Sequence, residues 1–432
     1  MKRLRRWWPV AALLVASGAW AAEDYSFDAA EFEKKPFELG GYAQLRREDV
    51  TLRPDAPLYL LNNYARSRRE TLGRDTAILE LAGKLRHGDA TLDFRTHSQT
   101  QHDQFAADTE HVLYEANYSY RADSGLLLET GKRVMRWGKG YAFNPVGFVE
   151  RPKDPNDPEL AREGYWMASV DYIRNFDGAL QTVAFTPALL PVGRDLNSDF
   201  GARDHLNPAA KLYFLYHDTD IDLAWQGKGS RPARYGLDFS RNLSSNFEVH
   251  GEWARIQDAT RRVVDGAGRV TSSTGNATSY LLGLRYLTEA GTTYIAEYYR
   301  NGTGYTAAES RDFYRYVDDA FATLAATGDA SAVQKAIALG QAGYSRPNPG
   351  SQYLYLRAQQ KDAFDIVYFQ PAVTAMVNLD DRSYQVTPEL LYTGLNNVEL
   401  RARLYVLNGE RNTDFGAKQN SRKIEFQARL YF

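Results

Sequence analysis

Apolar and polar residues alternate one by one along most of this chain. The final ten residues show it plainly: Ile424, Phe426, Ala428, Leu430 and Phe432 share one parity, and Lys423, Glu425, Gln427, Arg429 and Tyr431 the other. A period of two puts these sets on opposite faces of a strand, whereas a helix would mix them. The first such stretch sorts Phe37, Leu39, Gly41, Ala43 and Leu45 from Glu38, Tyr42, Gln44 and Arg46. Applied throughout, the pattern predicts strands at 37–47, 75–86, 89–97, 110–120, 126–133, 166–174, 179–186, 208–216, 220–227, 234–242, 247–256, 278–287, 292–300, 352–360, 364–378, 382–393, 397–408 and 422–432. That is about eighteen strands, with sixteen the alternative count.

The connections between these strands are short and long in turn. Short ones carry turn residues, as in His87-Gly88, Asp123-Ser124-Gly125, Asn175-Phe176-Asp177-Gly178 and Glu289-Ala290-Gly291. Long ones span 48–74, 98–109, 134–165, 187–207, 257–277 and 301–351, and counting back from the last strand puts all of them on one side. The predicted fold is therefore all-β: a single antiparallel up-and-down barrel with an even strand count, crossing a membrane. Outward aromatics fall near both strand ends, as with Phe247 and Trp253, Tyr280 and Tyr286, Tyr384 and Tyr392, or Trp166 and Tyr172. Aliphatic and small residues lie between them, the distribution of a membrane barrel's two girdles. Pro371 and Pro388 interrupt predicted strands and imply bulges there. Within 301–351, Phe313, Val317, Phe321 and Leu324 recur at helical spacing, and Val333, Ile337 and Leu339 resume after Gly328. A helical hairpin is expected in that outer loop, either as packed decoration or as a cap over the opening.

The N-terminus adds the route. Lys2, Arg3, Arg5 and Arg6 precede an apolar run from Trp7 to Trp20 that closes on Ala19-Trp20-Ala21. This reads as a secretory signal peptide over 1–21, cleaved before Ala22, with 22–432 forming the barrel. A chain ending on Phe432 in mid-strand resembles the C-terminal signature of bacterial outer-membrane barrels, so Phe432 is expected to serve as a signal to the barrel-assembly machinery. Outer-membrane lipid and lipopolysaccharide are the surroundings this implies. The lead before Phe37 is too short for a plug domain, which disfavours an energised transporter.

Composition then narrows the chemistry. There is no cysteine, which excludes disulfides, a thiol nucleophile, zinc–cysteine sites and covalent c-type haem attachment. Net charge is −2, so composition offers no argument for a nucleic-acid partner. Mean hydropathy is −0.51, compatible with a membrane barrel in which only alternate residues meet lipid. His97, His102 and His111 gather about one outer loop beside Asp103 and Asp108, but no spacing there matches a ligand motif. No catalytic residue, metal or cofactor is assigned.

Alternation places many charges inside, which makes sense if the lumen holds water, because a dry interior would desolvate them. Candidate pore-lining or constriction residues are Arg46, Arg95, Glu115, Glu129, Arg133, Arg136, Arg285, Arg357, Arg401 and Arg403. The inward acids also include Asp222, Asp238, Glu248, Glu252, Glu297, Glu389, Glu399 and Glu425. At least half of these charges are expected to pair across strands and stiffen the wall. Loop 134–165 contains Arg136-Trp137-Gly138-Lys139-Gly140 and a proline-rich run from Arg151 to Glu159. Its stiffness suits a segment folded into the lumen and equally a rigid exposed loop.

One hairpin carries a resemblance. Leu113 to Tyr120 reads LYEANYSY, Leu126 to Arg133 reads LLLETGKR, and Arg136-Trp137-Gly138 follows. This is similar to alginate-export-type porins, where a strand ending in a G-[KR]-[QR]-like motif leads into a long loop. The resemblance implies an eighteen-stranded porin with inward arginines around a pore for an acidic polysaccharide, and Arg133 and Arg136 stand at the matching positions. The many inward acids depart from a dominantly basic lumen. Three functions are compared on this basis. A passive channel for a hydrophilic solute or polysaccharide comes first. A barrel sheath for a periplasmic or surface partner protein is the alternative, and a barrel hydrolase around His97, His102 and His111 comes last.

Overall fold

The computed structural model describes residues 36–157 and 163–432; the signal peptide assigned to 1–21 lies outside the described residues. Eighteen strands make one sheet. They are β1 (Phe37–Leu52), β2 (Thr71–His87), β3 (Ala90–Asp103), β4 (Ala107–Arg121), β5 (Leu126–Arg133), β6 (Tyr165–Asn175), β7 (Leu180–Val192), β8 (His205–Tyr216) and β9 (Thr219–Gln226). The second half is β10 (Arg234–Ser244), β11 (Phe247–Val264), β12 (Val270–Leu287), β13 (Thr292–Arg300), β14 (Gln352–Gln360), β15 (Phe369–Asn378), β16 (Tyr384–Leu395), β17 (Val398–Asn408) and β18 (Asn420–Tyr431). Each strand pairs antiparallel with the next, and β18 pairs back on β1 from Tyr42↔Tyr431 to Leu52↔Asn420. The barrel closes, so no strand edge is left unpaired.

Outward positions stay apolar and exposed, as at Leu45, Leu282, Leu390 and Phe426. Cross-strand aromatic rows mark both rims. Phe247, Tyr286 and Tyr294 are in register at one end, and Trp253 faces Tyr280 at the other. The Tyr and Trp side chains among them combine an apolar ring with a polar group, which suits a lipid–water boundary.

Four expectations change, the first being that the strand expected at 364–378 begins only at Phe369 and leaves 361–368 as a turn. Segment 257–277, expected as a loop, is mostly strand: β11 and β12 continue past a register shift after Ile256 and leave only 265–269 as the turn. Segment 98–109 behaves likewise, with β3 running to Asp103 and β4 starting at Ala107. Both faces meet water there, so Thr100–Thr109 and Thr260–Thr274 contacts replace the alternation while the backbone ladder persists. The prolines do not bulge their strands. The register of β16 on β17 is the same before and after Pro388, from Val386↔Val406 to Glu389↔Arg403. Pro371 lies one residue before the β14–β15 ladder starts at Gln359↔Ala372, and its pairing with Leu390 on β16 keeps the register of its neighbours.

The outer loops pack into a structured layer. Helix α1 (Pro57–Asn62) follows β1, and α2 (Ala307–Thr327) and α3 (Ser331–Leu339) form the hairpin expected in 301–351. Thr306 and Glu309 build a capping box at the start of α2, and Gly328 ends it at φ 75°. Phe313, Tyr314 and Val317 are fully buried against Leu58, Leu61, Val264, Leu339 and Ala417. Burial pushes the Tyr314 phenol well above its ordinary pKa. The hairpin is thus fastened to three other outer segments.

Candidate pore constriction

The chain leaves β5 at Arg133 and turns into the barrel instead of away from it. What lets it do so is a patch of missing side chains on the facing wall. Inward positions of β7 to β11 carry Ala188, Ala209, Ala224, Gly236 and Ala254, and onto them pack Met135, Trp137, Val146, Phe148 and Val149. A Cβ at Gly236 would lie 2.8 Å from Val146 Cγ1 and 3.0 Å from Phe148 Cζ, so nothing larger than glycine allows this approach.

Beyond the apolar seat, two wall carboxylates hold the loop backbone. Glu252 accepts from the N–H of Lys139 at 2.7 Å, Gly140 at 2.6 Å and Val146 at 3.1 Å. Glu297 accepts from the N–H of Tyr141 and, at 2.9 Å, of Ala142. His250 stands 3.0 Å from Glu297 and 3.5 Å from Glu248, and the Tyr141 hydroxyl donates to Glu248 at 3.2 Å. Lys139 reaches Asp222 at 2.9 Å and Asp238 at 3.9 Å. Phe143 stacks on Tyr299 with centroids 4.5 Å apart. Farther along, Asn156 accepts from Gln385, and Asp157 meets Arg403 at 3.1 Å and Arg401 at 3.6 Å. The loop therefore runs from β5 past β7–β13 to β16 and β17, across the lumen.

Gly138 is the hinge of this path. Its φ is +91°, and an added Cβ would sit 2.6 Å from Glu252 Oε1. Gly138→Val combines a left-handed penalty of roughly 1–2 kcal/mol with that clash. The expected result is a displaced loop, seen as larger and noisier single-channel currents from a barrel that still folds.

Burial separates the two sides of the lumen. Asp238 and Glu297 are 0% exposed, Asp222 1% and Glu252 3%, because the loop covers them. The side chains of Lys84, Asp93 and Arg95 on β2 and β3 are 39%, 34% and 34% exposed. They line, with Glu38, Glu115, Glu129 and Arg133, an open cavity of about 590 Å³.

The candidate residues divide accordingly. Arg95, Glu115, Glu129 and Arg133 come together on the open side, where Arg95 lies 3.6 Å from Glu80 and Arg133 pairs with Glu129 and donates to Ser169 at 2.9 Å. Arg357, Arg401 and Arg403 form a second group, interlaced with Glu389, Glu399, Glu425 and Asp157. Arg285 stands apart at 3.3 Å from Glu248. Arg46 sits between Thr76 and Gln427 in register and has no ion pair among the described residues. Arg136, just past the end of β5, is exposed, while the neighbouring Trp137 is buried. His97 stacks on Tyr114 inside the barrel, whereas His102 and His111 are exposed on the opposite parity, so the three do not converge.

Glu252, Glu297 and Lys139 were beyond sequence reasoning as loop clamps, although both acids were placed inward. The alanines at alternate positions of β7–β11, where water-facing residues were due, are the signal that marks the seat.

No protein-family model and no curated protein matches the chain. Among solved structures, an engineered Rhodopseudomonas blastica porin covers 92% of this chain and 100% of its own at 9% identity, with a TM-score of 0.45. A structure described as "Asymmetric conductivity of engineered proteins" shows the same coverage at 10% identity and a TM-score of 0.44. The closed barrel rests on the strand pairing above, independent of these likenesses.

Proposed function

We propose that this chain is an outer-membrane channel for a hydrophilic solute, narrowed by its own loop. One observation carries this reading: the loop seals one side of the lumen while ionised side chains on the other remain open to water. Charges held in water inside a barrel are the lining of an aqueous path. The apolar outer face and its aromatic rims fit a bilayer, with lipopolysaccharide the expected outer-leaflet neighbour. Export through the 1–21 signal and recognition of Phe432 by the assembly machinery complete this route.

The lining favours a small hydrophilic solute over a polyanion of the alginate kind. Lys84 pairs with Asp93 at 3.2 Å, and Arg95 and Arg133 have their own carboxylates, so little uncompensated positive charge faces the cavity. Purified protein in planar bilayers should give discrete conductance steps. Arg95→Glu should move the reversal potential in a salt gradient toward cation preference, since it replaces a charge at the open wall. An intact barrel that stays silent, and co-purifies with a partner, would point to the sheath instead.

A further inference from the structure

Turns at the inner rim are short except one. Between β14 and β15 the chain takes eight residues, 361–368, reading KDAFDIVY. Four of them are apolar and open to solvent: Phe364 is 83% exposed, Val367 61%, Tyr368 56% and Ile366 50%. Burial elsewhere in the fold does not account for them. The backbone is also unusual, because Asp362, Phe364, Asp365 and Tyr368 all have φ between 48° and 66°. For bulky residues such as Phe and Tyr this left-handed conformation is a genuine outlier, and strain of this kind persists where something else is gained. The turn is held in shape locally, with the Asp362 carboxylate accepting from the Tyr368 N–H at 2.6 Å.

Its direction is set by its neighbours. The Phe364 ring lies 6.4 Å from that of Phe369, which is in register with Tyr392 on the outward face. Leu390 and Val373 continue that face up the wall, and Leu395 and Leu400 extend it sideways along the rim. The exposed turn is thus continuous with the surface that the barrel presents to lipid. Apolar rings at a bilayer edge settle between headgroups and acyl chains.

We propose that 361–368 is a membrane-interface anchor that inserts Phe364 and its apolar neighbours into the inner leaflet of the bilayer holding the barrel. This rests on the membrane-spanning reading above, and the test separates the two. The chain has no cysteine, so single variants accept a spin label at one site only. Phe364→Cys and Val367→Cys would be compared with Val373→Cys on the barrel wall in phospholipid vesicles, by relaxation with oxygen, which partitions into lipid, and with a water-soluble nickel chelate. The anchor is expected to raise the oxygen-to-nickel ratio at 364 and 367 toward that at 373. A lipid-like ratio at 373 with aqueous ratios at 364 and 367 overturns the anchor alone. Spin–spin broadening that disappears on dilution with unlabelled protein would also overturn it, showing contact with a second copy. An aqueous ratio at 373 overturns the membrane reading itself.

Discussion

Replacing Glu252 and Glu297 together by alanine should open the lumen, raising single-channel conductance well above that of the parent chain. The two carboxylates accept five backbone N–H groups from Lys139, Gly140, Tyr141, Ala142 and Val146. A hydrogen bond to a charged group contributes about 1.5–3 kcal/mol, and a buried donor left without a partner costs about 1–3 kcal/mol. Once both acceptors are gone, these donors find partners only by leaving the wall for water. The strands should survive, because β11 to β13 are joined through backbone ladders that neither substitution touches. Either single variant leaves one carboxylate in place and should show intermediate, fluctuating currents. Unchanged conductance in the double variant would mean that the packing of Trp137, Val146 and Phe148 holds the loop without the clamp.

Arg403→Ala should produce the largest loss of stability. Arg403 is 6% exposed and serves Glu389 at 2.5 Å, Asp157 at 3.1 Å and Glu425 at 3.4 Å. Removing one partner of a buried ion pair costs about 3–5 kcal/mol, because the charges left behind are no longer compensated. Glu389 would keep only Arg357 at 3.0 Å and Arg401 at 3.8 Å. The expected readout is a lower thermal unfolding midpoint in detergent, together with a looser distal end of the loop, where Asp157 keeps only Arg401 at 3.6 Å. Arg403→Lys should recover less than half of the loss, since an ammonium keeps the charge but not the fork that reaches several carboxylates at once. A midpoint unmoved by Arg403→Ala would show that water already compensates these acids.

How much of this was legible in the chain depended on which solvent each residue meets. Wall residues point outward on one side and toward the lumen or the loop on the other, so Leu45 and Arg46 or Phe426 and Gln427 differ sharply. Above the rim both faces meet water, and the strands around Thr260 and Thr274 carry no alternation to read. Parity also sorted the arginines: Arg95, Arg133, Arg357, Arg401 and Arg403 all point inward. Parity says nothing of Arg136, because it ends with the strand at Arg133, and the loop beyond buries Trp137. The stiff run after Arg151 hinted at the inward fold without specifying it, since a proline-rich path is equally at home outside the barrel. What decides it is a complementarity between distant segments, alanines on β7–β11 against the large apolar residues of the loop, and no local pattern contains that.

In the proposed channel a water-filled path runs along the β1–β5 wall while the loop closes the other side. Cysteine accessibility during single-channel recording tests it most directly, because the parent chain has no thiol. Glu115→Cys places one on the open wall, and Ala224→Cys places one beneath the loop. A charged methanethiosulfonate reagent should reduce the current through Glu115→Cys in a discrete step and leave Ala224→Cys unchanged. Equal modification of both positions, or a Glu115→Cys channel whose current ignores the reagent, would contradict it.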